Sequence, residues 1–494
     1  MIAAGTLDPP TYLPPPAPRS APAPPPAPRR ASAMTAARRP APIYVFNNEV
    51  RAGELIGRPG KLIGRPGEGW TEIKIVCRKA YGCGDNIKEA LNGLSLHVLL
   101  GDDPLVSSSL AIRISPEAHE RFNSELDGRA RKNCRPHYLN SNMTARASII
   151  LMDEEQDLMI MMLFLQREDL RDLPYYLVYD HKNASLSMIS YIPDPLEVIG
   201  MLKPVPKRTS DGAYELFLMA RESHDGLPMA FDIDRPPFLC VFSLLMGANL
   251  TCAWEMKKRV SWNVPVSVYE RFMTDMTFSF QGKGIWVDLS QAIMYCDLQT
   301  TDSVIGFDCI KLPVGCELNL EDALDCEESM KMSRTMGCVR GSIWFVCIRR
   351  GEHNADDLVT MWTLELPWGQ WKNEARFPVR ELWRFDGFKE GGLPEAQVGY
   401  PVLMADGTLC LVLYDACSDV SSVYHICTFD IWNKRLLWHG SVRHHSFTET
   451  VAISSHFFQR KHVSHKRKYD ELHPVAGPAF AARDNVLIKS QGAW

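Results

Sequence analysis

The feature that most constrains this chain is its succession of short apolar runs. From about residue 93 onward, stretches of four to eight residues rich in Val, Ile, Leu, Phe, Tyr and Trp recur, separated by turn-forming residues. "LSLHVLL", "YYLVYD", "FLCVFSLL", "SIWFVCIRR", "TLCLVLYD" and "VYHICTFDI" are examples. Strand-like segments far outnumber helical ones, which argues against a regular βα alternation. Residues 115–126, "SPEAHERFNSEL", read as a helix, with Ser115 as N-cap and Pro116 at the first position. Residues 319–332 are a weaker helical candidate.

The runs carry a faint repeat. Gly341 opens "GSIWFVCIRR" and a later strand ends at Trp371. Gly407 opens "GTLCLVLYD" and the corresponding strand ends at Trp438. Each unit reads as Gly, strand, loop, strand, tight turn, strand. Repeated multi-strand units suggest propeller blades, each sheet burying its faces against the next. The fold expected is mainly β, a β-propeller-like assembly of antiparallel sheets with a few short helices and disordered termini. A spacing near 66 residues exceeds the usual blade period. Either the loops are long or the unit spans more than one blade.

Composition separates three regions. Residues 1–42 contain 13 Pro and carry five Arg against one acid. Such a segment cannot bury enough apolar surface to offset its ordering. Residues 55–67 hold the hexamer "LIGRPG" twice. A phosphate loop ending at Lys61 would need Gly at position 55 and Ser or Thr at 62, and both are Leu. Residues 1–69 are therefore read as an extension and linker, 70–458 as the folded body and 459–494 as a flexible basic tail. The net charge is −5, and with +4 in 1–42 and +3 in 459–473 the remainder carries −12. An acidic body argues against broad nucleic-acid binding, which needs a basic face. The 14 Cys include no C-x-x-C pair and follow no apolar leader, so the thiols are read as reduced and the protein as intracellular. "LMIMMLFL" (158–165) is too short to cross a bilayer. Cytoplasm or nucleus is the expected compartment, and residues 1–42 leave plastid or mitochondrial targeting open. Arg460, Lys461, Lys466, Arg467 and Lys468 form two basic clusters that resemble a nuclear localisation signal.

"GIWVDLSQAIMYCDL" (284–298) gathers Trp286, Asp288, Cys296 and Asp297 within a short span. Asp288 and Asp297 suggest paired carboxylates. Yet Asp180, Asp415 and Asp430 also end apolar runs, and Asp there caps its own backbone two residues on, so turn chemistry is the preferred reading. Cys296 lies among Ile293, Met294 and Tyr295, a context for a buried thiol and not a nucleophile. His444, His445, His456, His462 and His465 lack the Cys pairs a zinc site wants. The chain has no G-x-S-x-G, H-E-x-x-H, kinase set or dinucleotide fingerprint. No catalytic, cofactor-binding or metal residues are assigned, and no cofactor is expected. The late Trp residues, 344 to 438, are read as packing between blades.

The same stretch carries a resemblance. Trp286-Val287-Asp288-Leu289, then Ile293, Cys296 and Asp297, then Leu312-Pro313 and Arg340-Gly341, resemble the signature of the plant domain-of-unknown-function family numbered 1618. The usual Gly before Ile is here Ala292. The signature covers roughly 260–400. A more distant similarity is to the kelch-like repeats associated with F-box proteins, although no F-box is recognisable. The resemblance implies a propeller-type sheet assembly and a structural role for the motif residues Trp286, Val287, Asp288, Leu289, Cys296, Asp297, Arg340 and Gly341. It implies nothing chemical. The function expected is a non-enzymatic interaction scaffold with a protein partner, and neither nucleic acid nor membrane. The alternative is an enzyme or carbohydrate-binding protein with a site in the propeller channel.

Overall fold

A computed structural model of the chain describes residues 43–47, 49–52, 70–100, 108–132, 143–153, 156–167, 173–192, 198–200, 203–222, 238–244, 253–257, 259–262, 272–299, 304–318, 330–366, 369–414, 423–443 and 450–454. Its sheets form a ring, a six-bladed β-propeller. The chain begins with β1 (Ile43–Asn47), β2 (Glu49–Ala52), β3 (Trp70–Glu72), β4 (Cys77–Tyr81), the helix α1 (Asp85–Ala90), β5 (Leu94–Leu99), β6 (Ser109–Ile114) and the helix α2 (Pro116–Lys132). The second blade is β7 (Thr144–Asp153), β8 (Leu158–Gln166), β9 (Leu173–Asp180) and β10 (Ser185–Ser190), with β4 parallel to β10 at its edge. The third contains β11 (Val198–Gly200), β12 (Val205–Arg208), β13 (Tyr214–Glu222), β14 (Phe238–Ser243) and β15 (Glu255–Lys257).

The fourth blade contains β16 (Arg259–Trp262), β17 (Met276–Phe280), β18 (Lys283–Asp288), β19 (Ala292–Asp297) and β20 (Val304–Lys311). The fifth is β21 (Arg334–Val339), β22 (Ser342–Arg349), β23 (Leu358–Glu365) and β24 (Gln370–Pro378). The sixth is β25 (Gln397–Leu403), β26 (Leu409–Tyr414), β27 (Val423–Asp430) and β28 (Arg435–Arg443). Finally β29 (Thr450–Ser454) pairs antiparallel with β1, so a late strand closes the ring on an early one. This pair is a two-stranded sheet of its own, while β3, β5, β6 and β2 run on through β7 to β10 and β4 as one nine-stranded sheet. Strands β1 and β2 lie ahead of residue 69. "IYVF" is a strand-forming run hidden behind a Pro-rich segment.

The apolar runs follow from burial on both faces. Along β18, Ile285 and Val287 pack into the core shared with the fifth blade, whereas Trp286 packs into the core shared with the third. Along β22, Ile343, Phe345 and Cys347 face the fourth blade and Val346 and Ile348 the sixth. β8 does the same, with Met159, Met161 and Leu163 on one side and Leu158, Ile160 and Met162 on the other. A strand covered on both faces needs no polar alternation. "LMIMMLFL" is therefore the buried strand β8, and among the described residues no helix is long and apolar enough to cross a membrane.

The Gly341 and Gly407 units are the fifth and sixth blades. Both glycines sit in the turn between the first two strands, at φ 81° and 88°. The repeat is one blade with long connections, since residues 379–396 separate the two sheets. The expected helix at 115–126 is α2, which runs on to Lys132, and Ser115 Oγ accepts from the Ala118 N–H at 3.2 Å. Residues 319–329 of the weaker candidate lie outside the described residues, and Met330–Met332 form a 3₁₀ turn.

The turn reading of the aspartates holds where it can be seen. Asp180 accepts from Asn183 N and Nδ2, and Asp430 accepts from the same two atoms of Asn433. Each turn ends with a residue at positive φ, Ala184 and Lys434. Asp415 lies outside the described residues. Asp180 does more, because Arg208 at the end of β12 grips both its oxygens at 3.0 Å and joins the second blade to the third. Removing the carboxylate leaves a half-buried guanidinium with only the Gln156 and Gly212 carbonyls as acceptors. Asp180→Ala should cost roughly 3–5 kcal/mol, read from chemical denaturation of the purified protein. A loss under about 1 kcal/mol would show that the pair does not hold the blades.

Candidate functional site

The site is built on the β18–β19 turn. Asp288 ends β18 opposite Ala292 and is almost wholly buried. It accepts from Ser290 N at 2.8 Å, from Ser290 Oγ, and from Gln291 Nε2 and Met273 N at 2.9 Å each. Four donors fill its oxygens and fold the turn back on itself. Asp275 lies just ahead of β17. Its N–H donates to Val287 O at 2.8 Å, and its Oδ2 accepts from Leu289 N at 2.7 Å. Asp275 and Asp288 are therefore held against the same turn from two different strands.

Two lysines approach from the neighbouring blades. Lys203, just before β12, donates through Nζ to the Asp275 carbonyl, and Lys331 lies in the 3₁₀ turn before β21. Burial, with the negative Asp288 adding to it, pushes the Asp275 carboxyl up to about 6, against the Leu289 N–H bond and the two lysines. This group can hold or release a proton near neutral pH. The acceptor positions of Asp288 are taken by the four donors of its own turn and of Met273. Among the described residues no three His, Cys, Asp or Glu side chains cluster as metal ligands do.

The pairing suggested by the sequence does not form. Asp297 pairs across the hairpin with Lys283, five residues from Asp288 along β18, or about 17 Å. Asp297 is exposed and accepts from Gln299 N at 2.7 Å, an ordinary turn contact. The partner of Asp288 is Asp275, in "MTDMTF", which the sequence reading missed. Nothing but an acid immediately before a strand marked it.

The remaining motif residues are buried or sit in turns. Trp286 is fully buried, and its Nε1 has no hydrogen-bond partner. A side chain at Gly284 would meet the Trp286 ring at 2.8 Å, which explains the glycine. Val287 and Leu289 lie in the core between the fourth and fifth blades. Cys296 is buried, and burial pushes its thiol up to about 12, far from nucleophilic. Ala292 takes its place in the ladder fully buried, so a methyl is accommodated where Gly is usual. Arg340 and Gly341 make the β21–β22 turn, and Arg340 Nη2 donates to Asp406 O at 2.8 Å on the sixth blade. Of the late tryptophans, Trp344, Trp362, Trp371, Trp383 and Trp438 pack against the cores, whereas Trp432 is exposed and meets Trp344 edge to face. Arg460, Lys461, Lys466, Arg467, Lys468 and the five late histidines lie outside the described residues.

Two variants separate the roles of the acids. Asp288→Ala leaves several buried donors unmatched and should lower stability by about 3 kcal/mol or more, seen as a large drop in the denaturation midpoint. Asp275 behaves oppositely. Its folded pKa lies above the ordinary 3.8, so its ionisation disfavours the folded state. That cost is absent below about pH 4, grows between pH 4 and 6, and is complete above, at up to about 3 kcal/mol. Asp275→Asn should raise the melting temperature at pH 8 and leave it little changed at pH 4. An equal effect at both pH values would contradict a shifted carboxyl.

No curated protein matches the chain. Among solved structures, AofleA from Arthrobotrys oligospora is 9% identical, covering 83% of this chain and 97% of its own, with a TM-score of 0.29. The Nup133 β-propeller domain of Vanderwaltozyma polyspora is 10% identical, covering 62% and 74%, with a TM-score of 0.29. A variant of NanB sialidase from Streptococcus pneumoniae is 10% identical, covering 70% and 56%, with a TM-score of 0.24. At such identity none of them transfers a function. From Trp286 in β18 to Cys410 in β26, residues 286–410 match the family described as Protein of unknown function (DUF1618), the family that the Trp286–Leu289 hairpin resembles.

Proposed function

We propose that this propeller protein is a non-enzymatic scaffold that binds a protein partner inside the cell through loops of the fourth blade. The observation that carries the reading is the character of those loops. Met273, 68% exposed, donates its N–H to Asp288, and Val314, fully exposed, sits in the loop that hydrogen-bonds to the same turn through Leu312 and Leu318. Two large apolar side chains beside Lys203, Asp275 and Lys331 make a mixed apolar and charged surface, which suits a protein partner. The acidic balance of the body supports a protein in preference to nucleic acid. The second reading, a channel enzyme or sugar binder, draws on the near-neutral Asp275 carboxyl and the exposed Trp432.

The two readings separate in one experiment. Met273→Asp combined with Val314→Asp should abolish recovery of partners in quantitative affinity purification while the melting temperature stays within a few degrees of the parent. Trp432→Ala should leave recovery unchanged. Equal recovery with the double variant, or loss only with Trp432→Ala, would reject the proposed surface.

A further inference from the structure

Two buried thiols beside this loop meet across a blade boundary. Cys316 ends the turn Val314–Cys316 and donates its N–H to Pro313 O at 2.8 Å. Cys347 lies on β22, directly opposite Arg334 of β21. Arg334 donates through Nη1 to Cys316 O and to Leu289 O, at 2.7 Å each. The residue paired with Cys347 therefore also holds the main chain of Cys316. Both side chains belong to the core between the fourth and fifth blades, where each thiol influences the ionisation of the other.

We propose that Cys316 and Cys347 are an oxidation site, closing to a reversible disulfide that staples the loop after β20 in the fourth blade to β22 of the fifth. The Cys316 thiol, with Arg334 and Arg349 nearby, holds the Cys347 thiol below its ordinary range despite burial. Cys410 and Cys427 lie on adjacent strands but in different cores, and burial pushes both thiols up. The oxidant is a hydroperoxide. The Cys347 thiolate attacks the peroxide oxygen, the O–O bond breaks, and the leaving oxygen takes a proton to depart as water or alcohol. Cys316 sulfur then attacks the resulting sulfenic sulfur, the S–S bond forms, and the sulfenic oxygen leaves as water with the Cys316 proton. Two thiols give up two electrons and the peroxide accepts them. A dithiol reductant reverses the bond by exchange. Leu312 N donates to Gln291 O at 3.0 Å and Leu318 N to Ser290 O at 2.8 Å, so the staple also fastens the turn that carries Asp288.

The test uses the full-length protein, reduced and then treated with hydrogen peroxide. Differential alkylation and non-reducing peptide mass spectrometry read the product. A Cys316–Cys347 cross-linked peptide should appear, two free thiols should disappear, and dithiothreitol should restore both. The melting temperature should rise by a few degrees on oxidation. Cys316→Ser should instead trap a dimedone-reactive sulfenic acid on Cys347, and Cys347→Ser should leave Cys316 unoxidised. Oxidation confined to other thiols such as the exposed Cys77, or over-oxidation of Cys347 in the wild-type chain without a cross-link, would overturn the proposal. The wild-type mapping decides the matter even where a variant folds poorly.

Discussion

Burial of each blade on both faces is the constraint on which this structure depends. In β18, β22 and β8, successive side chains enter different cores, and each core is shared by two neighbouring blades. A sheet in this position cannot fold alone, because each face is apolar and needs a neighbour. The ring supplies these neighbours, and the pairing of β29 with β1 joins the end of the chain to its start. The shape of Trp286 shows how tight the fit is. Its indole is fully buried, and the adjacent glycine on the same face leaves the space that the ring fills.

Polar groups at the blade boundaries act as clamps on this apolar stack. Arg208 joins the second and third blades through Asp180. Arg334 joins the fourth and fifth through two carbonyls. Arg350 joins the fifth and sixth, donating to Asp357, Val398 O and the Tyr414 hydroxyl. A planar guanidinium with five donors satisfies several acceptors at once, which suits a narrow boundary between sheets. The aspartates at strand ends do local work by comparison, capping their own turns, and Asp180 serves both purposes. The raised carboxyl of Asp275 arises mainly from burial, with the negative Asp288 on the neighbouring turn adding to it.

Much of the architecture was legible along the chain. Short apolar runs and turn residues indicate sheets. The Gly341 and Gly407 units mark two blades, and Ser115-Pro116 starts a helix. The Trp286–Leu289 hairpin carries the family likeness. These are local features, set by period, turn chemistry and residue size. The candidate site was half legible. Asp288 stood out in its motif, but Asp275 did not, because nothing in "MTDMTF" shows that the loop before β17 folds against the following turn. The place of "IYVF" in the fold is hidden for a similar reason. Its partner is a strand some 400 residues later.

The sequence by itself determined strands, turns and the apolar character of both strand faces, since these depend on neighbours within a few residues. Tertiary structure alone decided which acids meet, which cysteines touch and which tryptophan remains exposed. Asp288 is near in sequence to Asp297 yet keeps company with Asp275, since antiparallel strands bring their paired ends together and send the two ends of a hairpin apart. Cys316 and Cys347 are separated by a blade boundary in the chain and meet because blades pack face to face. Proximity across sheets is set by ring packing, and a linear pattern does not encode it.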